Sequence, residues 1–216
     1  MKDYLTYFEL AHWINENKDL IIESFVKNVK FKEKKFDFKL YKKQFGTFHL
    51  IIVLPKIIFW DKQGLKDLYL HEKLKKELEN KKILNVSSIK GERILKIEFE
   101  DLFLFIELFH NGNLILTDKN FKILYCLEEV EFKDRKIKLN ETYFFPPKKY
   151  FLDLSFFEIF EKFNVDIEVE KFLASLIGAD YASFILNKLG IEKNIKCKDL
   201  KQNEIDKIIN EIKDLE

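Results

Sequence analysis

The chain has 216 residues, 47% apolar and 35% charged, and a formal net charge of +1. That mix buries a sizeable core and excludes an intrinsically disordered chain, and the length fits one large domain or two small ones. No apolar run in the sequence approaches the roughly 18–20 residues that a spanning helix needs.

Tyr7–Ile22, YFELAHWINENKDLII, reads as an opening helix with Phe8, Ala11 and Ile14 near one face. The stretch MKDYLTYFELAHW has no signal-peptide core. Ser24–Phe31 and Phe36–Lys42 alternate apolar and polar residues and read as half-buried strands. In the second, Phe36, Phe38 and Leu40 take one face, Asp37 and Lys39 the other, and KEKK makes the turn between the strands. Lys27, Lys30, Lys32, Lys34, Lys35, Lys39, Lys42 and Lys43 are countered here only by Glu33 and Asp37. The run fits either a solvated edge hairpin guarded against aggregation or a phosphate-contacting patch.

Gly46 opens a more fully apolar strand that Pro55 ends. After Gly64, the spacing of Leu65, Leu68, Leu74 and Leu78 predicts a helix over Leu65–Asn80. ILNVSSI, RILKIEF, LFLFIEL, NLILT and KILYCLE then read as five strands of an antiparallel meander, closed by Tyr143–Pro147, YFFPP. The Asn111-Gly112 pair predicts a two-residue type I′ turn.

Beyond about residue 150 the texture changes to four short helices: LSFFEIFEKF, VEKFLASLI, DYASFILNKLG and QNEIDKIINEI. The expected organisation is α+β over 1–150 and all-α over 151–216, with the boundary near Lys148–Asp153. Charge divides the same way. Residues 1–150 carry 29 Lys+Arg against 23 Asp+Glu, a surplus of +6, and residues 151–216 carry 9 against 14, a deficit of −5. The front is the natural nucleic-acid face.

Motifs for chemistry are missing. His12, His49, His71 and His110 form no metal-ligand spacing, and the glycines build neither GxGxxG nor a P-loop. Cys126 and Cys197 lie far apart, which gives no disulfide framework and suits a reducing cytoplasm. No cofactor, metal or small-molecule substrate is expected. Three local features stand out. FLASLIGADYASFILNKLG is a helix–hairpin–helix pattern, with Gly178 at the turn and Asp180 placed to cap the second helix. It serves either packing and protein contact or, through Lys171 and Lys188, phosphate binding. Glu92-Arg93 follows Gly91 at a strand entry, and His110-Asn111-Gly112-Asn113 links two apolar strands.

Taken in order and spacing, ILNVSSIKGERILKIEF, FIELFHNGNLILTD and KILYCLEEVEFKDRKIKLNETYFFPP resemble the N-terminal domain of the NFACT family, in an archaeal flavour. FLASLIGADYASFIL looks like the helix–hairpin–helix domain that follows it. These are the NEMF-like and RqcH-like ribosome quality-control factors, often labelled fibronectin-binding-protein-like in bacteria. The resemblance implies an antiparallel, glycosylase-N-domain-like fold that binds tRNA and the large ribosomal subunit at stalled nascent chains. In several lineages it supports template-free C-terminal tailing. Carried over residue by residue, it points to Glu9, to Glu92 where the family shows Asp, and to Arg93, Glu107 and Asn113. Lys34 and Lys35 are added from the basic run. A long coiled coil and a further RNA-binding domain follow in full-length members, and EIDKIINEIKDLE is where such a coil would begin.

Three readings compete. An RNA-binding module without covalent chemistry fits best. A protein-interaction module would use the acidic helical end. A glycosylase-type enzyme would need an N-terminal proline nucleophile followed by glutamate, and here Lys2 and Asp3 follow Met1. No catalytic residue is expected.

Overall fold

The computed structural model describes residues 4–147, 153–154 and 156–215. The chain divides into two units, Met1–Leu5 with Glu9–Pro147, and Thr6–Phe8 with Lys148–Glu216. Of the boundary expected at Lys148–Asp153, all but Asp153 lies outside the described residues.

The first unit is a β-sandwich with helices, the α+β architecture expected. Helix α1 (Tyr7–Ile21) contributes to it from Glu9 onward. Strands β1 (Phe25–Lys32), β2 (Lys35–Lys42), β3 (Gly46–Val53), β4 (Ile57–Asp61) and β5 (Tyr69–Leu70) form one antiparallel sheet in the order β4-β3-β2-β1-β5. Strands β6 (Asn85–Ser88), β7 (Ile94–Glu98), β8 (Leu102–Glu107), β9 (Asn113–Asp118) and β10 (Ile123–Cys126) form a second sheet, a plain meander. Period-two alternation gives each sheet an apolar inner face. Val29, Phe36, Phe38, Leu50 and Ile52 of the first meet Ile97, Leu104, Ile106, Leu114 and Leu116 of the second in one continuous core. Leu10 and Ile14 of α1, and Leu74 and Leu78 of α2 (Glu72–Leu78), pack into it.

The other face of the second sheet is also dry. Phe103, Phe105, Ile115 and Ile123 are covered by Ile137, Tyr143 and Phe145, from the segment that holds the small hairpin β11 (Val130–Glu131) and β12 (Lys136–Ile137). This explains why LFLFIE of β8 is buried at every position: a strand covered on both sides reads as a continuous apolar run.

Several expectations are corrected. The lysine-rich hairpin is not an edge, because β3 flanks β2 and β5 flanks β1. Asp37, expected on the solvent side, is only 2% exposed. The segment after β4 folds over it: Leu65 N donates to Asp37 Oδ2 at 2.9 Å, and His49 Nδ1 lies 2.6 Å from Oδ1. Gly64, with φ +68, is needed there, since a Cβ would come within 2.4 Å of His49 Nδ1. The predicted Leu65–Asn80 helix shrinks to α2, because Tyr69 and Leu70 pair with β1 and His71 Nδ1 accepts from Leu74 N as a cap.

The β8–β9 connection also differs from a two-residue type I′ turn. It runs over 108–112, with Gly112 N donating to Phe109 O at 2.8 Å. Positive φ falls on His110 (+51) and Gly112 (+72), not on Asn111. A Cβ on Gly112 would come within 2.8 Å of Leu54 Cβ and 3.0 Å of Pro55 Cα, so backbone approach as well as turn geometry demands glycine.

The second unit contains α3 (Phe156–Phe163), α4 (Val169–Ile177), α5 (Ala179–Leu189) and α6 (Gln202–Asp214). Val169, Leu173, Ile177, Ala182, Ile185, Ile205, Ile208 and Ile212 form its core with Phe8. Gly178 (φ +97) joins α4 to α5 and itself occupies the N-cap position. Asp180 therefore lies within the first turn of α5 rather than capping it.

Candidate functional site

Five of the seven residues singled out from sequence converge at one end of the sandwich. The chain of contacts begins at Lys34, in the β1–β2 turn. Its Nζ donates to the Asn111 carbonyl at 2.7 Å and pairs with Glu128 Oε1 at 2.9 Å. Its own carbonyl accepts from Leu54 N at 2.9 Å, next to the Pro55 that Gly112 touches. Lys56 O accepts from Leu5 N at 3.1 Å, and Leu5 O accepts from Arg93 Nη1 at 3.3 Å. Arg93 O then accepts from Leu108 N at 2.8 Å, which returns the path to the β8–β9 loop.

Arg93 is the residue best disposed toward an anion. The turn Ile89–Glu92, closed by Glu92 N to Ile89 O at 2.9 Å, delivers it to the start of β7. Its guanidinium lies 5.2 Å from the centre of the Tyr4 ring, itself 54% exposed. Among the described residues, stacking on that ring and one long hydrogen bond engage the guanidinium, which leaves most of its five donors for a ligand. Burial pulls the Arg93 pKa below the ordinary value, with Tyr4 and Glu92 opposing. The group stays cationic in any case.

Glu107 and Asn113 sit opposite each other where β8 and β9 pair, and both are buried, at 2% and 4% exposure. Glu107 accepts from Arg135 at both oxygens, 2.6 Å from Nη1 and 3.1 Å from Nη2, and from the Tyr143 hydroxyl at 2.8 Å. Arg135 Nη1 also donates to Phe144 O, and the guanidinium lies 5.0 Å from the Phe132 ring. Burial alone would lower the Arg135 pKa, but the bonds to Glu107 outweigh it and raise the value. Burial, then the Glu107 charge, pushes Tyr143 well above the usual phenol range. Asn113 Oδ1 accepts from Leu114, Leu127 and Glu128 amides at 2.9, 3.1 and 3.2 Å, and Nδ2 donates to Glu128 O at 2.8 Å. These two residues build the site by holding the segment that presents Glu128.

Lys35 and Glu9 stand apart from this convergence. Lys35 is exposed on β2 and pairs in register with Lys32. With Lys30 and Lys39 they share one face of the first sheet, across strands whose register sets Lys30 opposite Asp37 and Asn28 opposite Lys39. Glu9 lies in the first turn of α1. In the second unit, Lys171 pairs with Glu168 at 2.9 Å and Lys188 with Glu211 at 2.6 Å, so both lysines near the helical hairpin already face carboxylates.

Sequence reasoning passed over Tyr4, Glu128, Arg135 and Tyr143. One signal was present. A glutamate inside LFLFIEL, apolar on both faces, requires a buried donor partner.

A model of the NFACT N-terminal and middle domains matches residues 58–216. The chain belongs to the NFACT family. Among its relatives, the archaeal Rqc2 homolog aRqcH of Methanocaldococcus jannaschii is 30% identical over 156 residues, 66% of this chain. The chain spans 23% of that relative's length. The solved fibrinogen binding protein from Staphylococcus aureus shares the NFACT chain's fold, with a TM-score of 0.68 at 15% identity, over 94% of this chain and 81% of that one. A weaker likeness links it to Lactococcus lactis Fpg in complex with DNA containing an abasic site, with a TM-score of 0.49 at 15% identity over 96% and 75% of the two chains. Among the described residues no group of three His, Cys, Asp or Glu side chains is arranged for a metal ion, and no helix is long and apolar enough to cross a membrane.

Proposed function

We propose that this NFACT chain is the RNA-binding part of a cytoplasmic ribosome quality-control factor. It contacts tRNA and the large ribosomal subunit at stalled nascent chains and supports template-free tailing, with no covalent chemistry of its own. The observation that carries this reading is Arg93: a half-buried guanidinium laid on an exposed tyrosine, with donors to spare, at a convergence of loops in a member of this family. An arginine held this way meets phosphate with two donors or stacks on a base. Glu92 beside it keeps the acid–base pair that the family shows, with Glu for Asp. The exposed Lys30, Lys32, Lys35 and Lys43 add the diffuse positive charge that tracks a phosphate backbone.

The decisive experiment is co-sedimentation with purified large subunits, paired with tRNA filter binding across a salt series. Binding should weaken as salt rises, and the log–log slope should fall by about 1 for each phosphate contact removed in Arg93→Ala or Lys35→Ala. Absence of both tRNA and subunit association at low salt overturns the proposal and leaves the protein-interaction reading in its place.

A further inference from the structure

His71 follows β5, the last strand of the first sheet, and meets β10, the last strand of the second. Its main chain is fixed on both sides. The amide donates to Val29 O on β1 at 2.8 Å, and the carbonyl accepts from Lys75 N at 2.8 Å. Its ring packs against Phe31 and Tyr125, with centroids 4.9 and 5.0 Å away, and stacks at 6.4 Å on Phe36. Both ring nitrogens are engaged. Nδ1 lies 3.3 Å from Leu74 N, and Nε2 lies 2.9 Å from the Tyr125 hydroxyl.

These contacts fix the tautomer. An amide nitrogen can only donate, so Nδ1 must present a free lone pair. The single proton of the neutral ring therefore sits on Nε2 and is donated to Tyr125. A second proton has one place to go, which is Nδ1, where it would point at the Leu74 N–H. Donor would face donor, and the cap of α2 would be lost. The surroundings offer the charged ring no compensation. β1 and β2 turn Phe31 and Phe36 toward it, and β10 turns Tyr125, with Cys126 next in the chain. α2 contributes Lys73, whose ammonium lies 5.6 Å from the centre of the Tyr125 ring, while Glu72 is exposed. Burial, first, and the Lys73 charge pull the His71 pKa below the ordinary value.

We propose that His71 is an acid-released clasp: the neutral ring caps α2 and ties it to β10, and taking up a proton undoes the cap and loosens the β5–α2 segment. With the cap gone, that segment keeps only two residue pairs to β1, the His71 amide bond and the burial of Leu74 and Leu78. Opening is therefore local. It strips the flank from β1, the strand of Lys27, Lys30 and Lys32, and turns an inner strand into an edge. The native state takes the proton less readily than the unfolded chain does. The stabilisation is thus full above the unfolded value of 6.5 and is lost as pH falls through the lower folded one.

Amide hydrogen exchange, with rates corrected for the intrinsic effect of pH, reads local opening directly. Between about pH 7.5 and about pH 5, a range that a histidine spans, corrected exchange over residues 69–78 should rise about fivefold, the equivalent of one lost helix cap. β8 and β9 should not change. His71→Asn supplies a cap that does not titrate, so its segment should exchange at one corrected rate across the same range. Nitrogen NMR of the wild-type imidazole needs no variant: at neutral pH the proton should sit on Nε2, with Nδ1 bare. Flat corrected exchange in the wild type, an equal acid step in His71→Asn, or a proton on Nδ1 at neutral pH each overturns the clasp.

Discussion

Replacing Arg135 by methionine tests whether Glu107 is a structural anchor rather than a ligand contact. The carboxylate is 2% exposed and receives two hydrogen bonds from Arg135 and one from Tyr143. Arg135→Met removes the only cation within that set and leaves a buried charge with a single phenol donor. Breaking a buried pair in this way costs about 3–5 kcal/mol, a large share of the roughly 5–15 kcal/mol that holds a typical domain folded. The cost belongs to the orphaned carboxylate, not to the worth of the pair, and this can be separated. Glu107→Leu with Arg135→Met discards both charges but strands the Tyr143 hydroxyl, a buried donor worth about 1–3 kcal/mol when unmet. Adding Tyr143→Phe removes that last polar group, and the triple variant should return to within about 2 kcal/mol of the wild type. Urea titration followed by the fluorescence of Trp13 and Trp60, both in the first unit, reads all four proteins. A loss below about 1 kcal/mol in Arg135→Met, or a triple variant less stable than the single, refutes the reasoning.

The same cluster sets a pH dependence. The Tyr143 pKa is raised above 10.0 by burial and by Glu107, so the folded state holds its proton more tightly than the unfolded one. That stability is fully present below the unfolded value and is lost as pH rises through the folded one. The urea midpoint should fall above about pH 10 in the wild type and fall less steeply in Tyr143→Phe. Gly112→Ala places a Cβ 2.8 Å from Leu54 Cβ at φ +72. A destabilisation of about 1–3 kcal/mol should appear as a lower Tm. Lys34→Ala breaks an exposed pair with Glu128 and should cost under about 1 kcal/mol in thermal melts while lowering tRNA affinity. Arg93→Ala should likewise stay folded, so that its binding defect, unlike that of Glu107→Ala, appears without a stability defect.

Much of the sandwich was legible in the chain because its strands are local events. FDFKL and NLILT alternate, and turn residues punctuate them at usual strand lengths. What escaped was decided by distant cover. Asp37 reads as outward from its own strand, and only the return of Gly64–Leu65 buries it. Leu65 and Leu68 keep helical spacing, yet pairing of Tyr69–Leu70 with β1 prevails over it. Asn111-Gly112 signals a two-residue turn, but Gly112 is committed to the Leu54–Pro55 backbone, and the left-handed residue becomes His110. In the site, Arg93 could be carried over from the family pattern, whereas Arg135 stands 28 residues from the carboxylate it meets. No short-range pattern marks it among the other basic residues of its stretch.

The close approach of Gly112 to Leu54 and Pro55 also constrains how this chain can drift. Two turns far apart in sequence are machined to the same clearance, so neither can gain bulk or length alone. Across relatives as divergent as the 30% identical archaeal homolog, substitutions at these three positions should arrive as correlated pairs. Insertions should collect instead in connections that touch no second backbone.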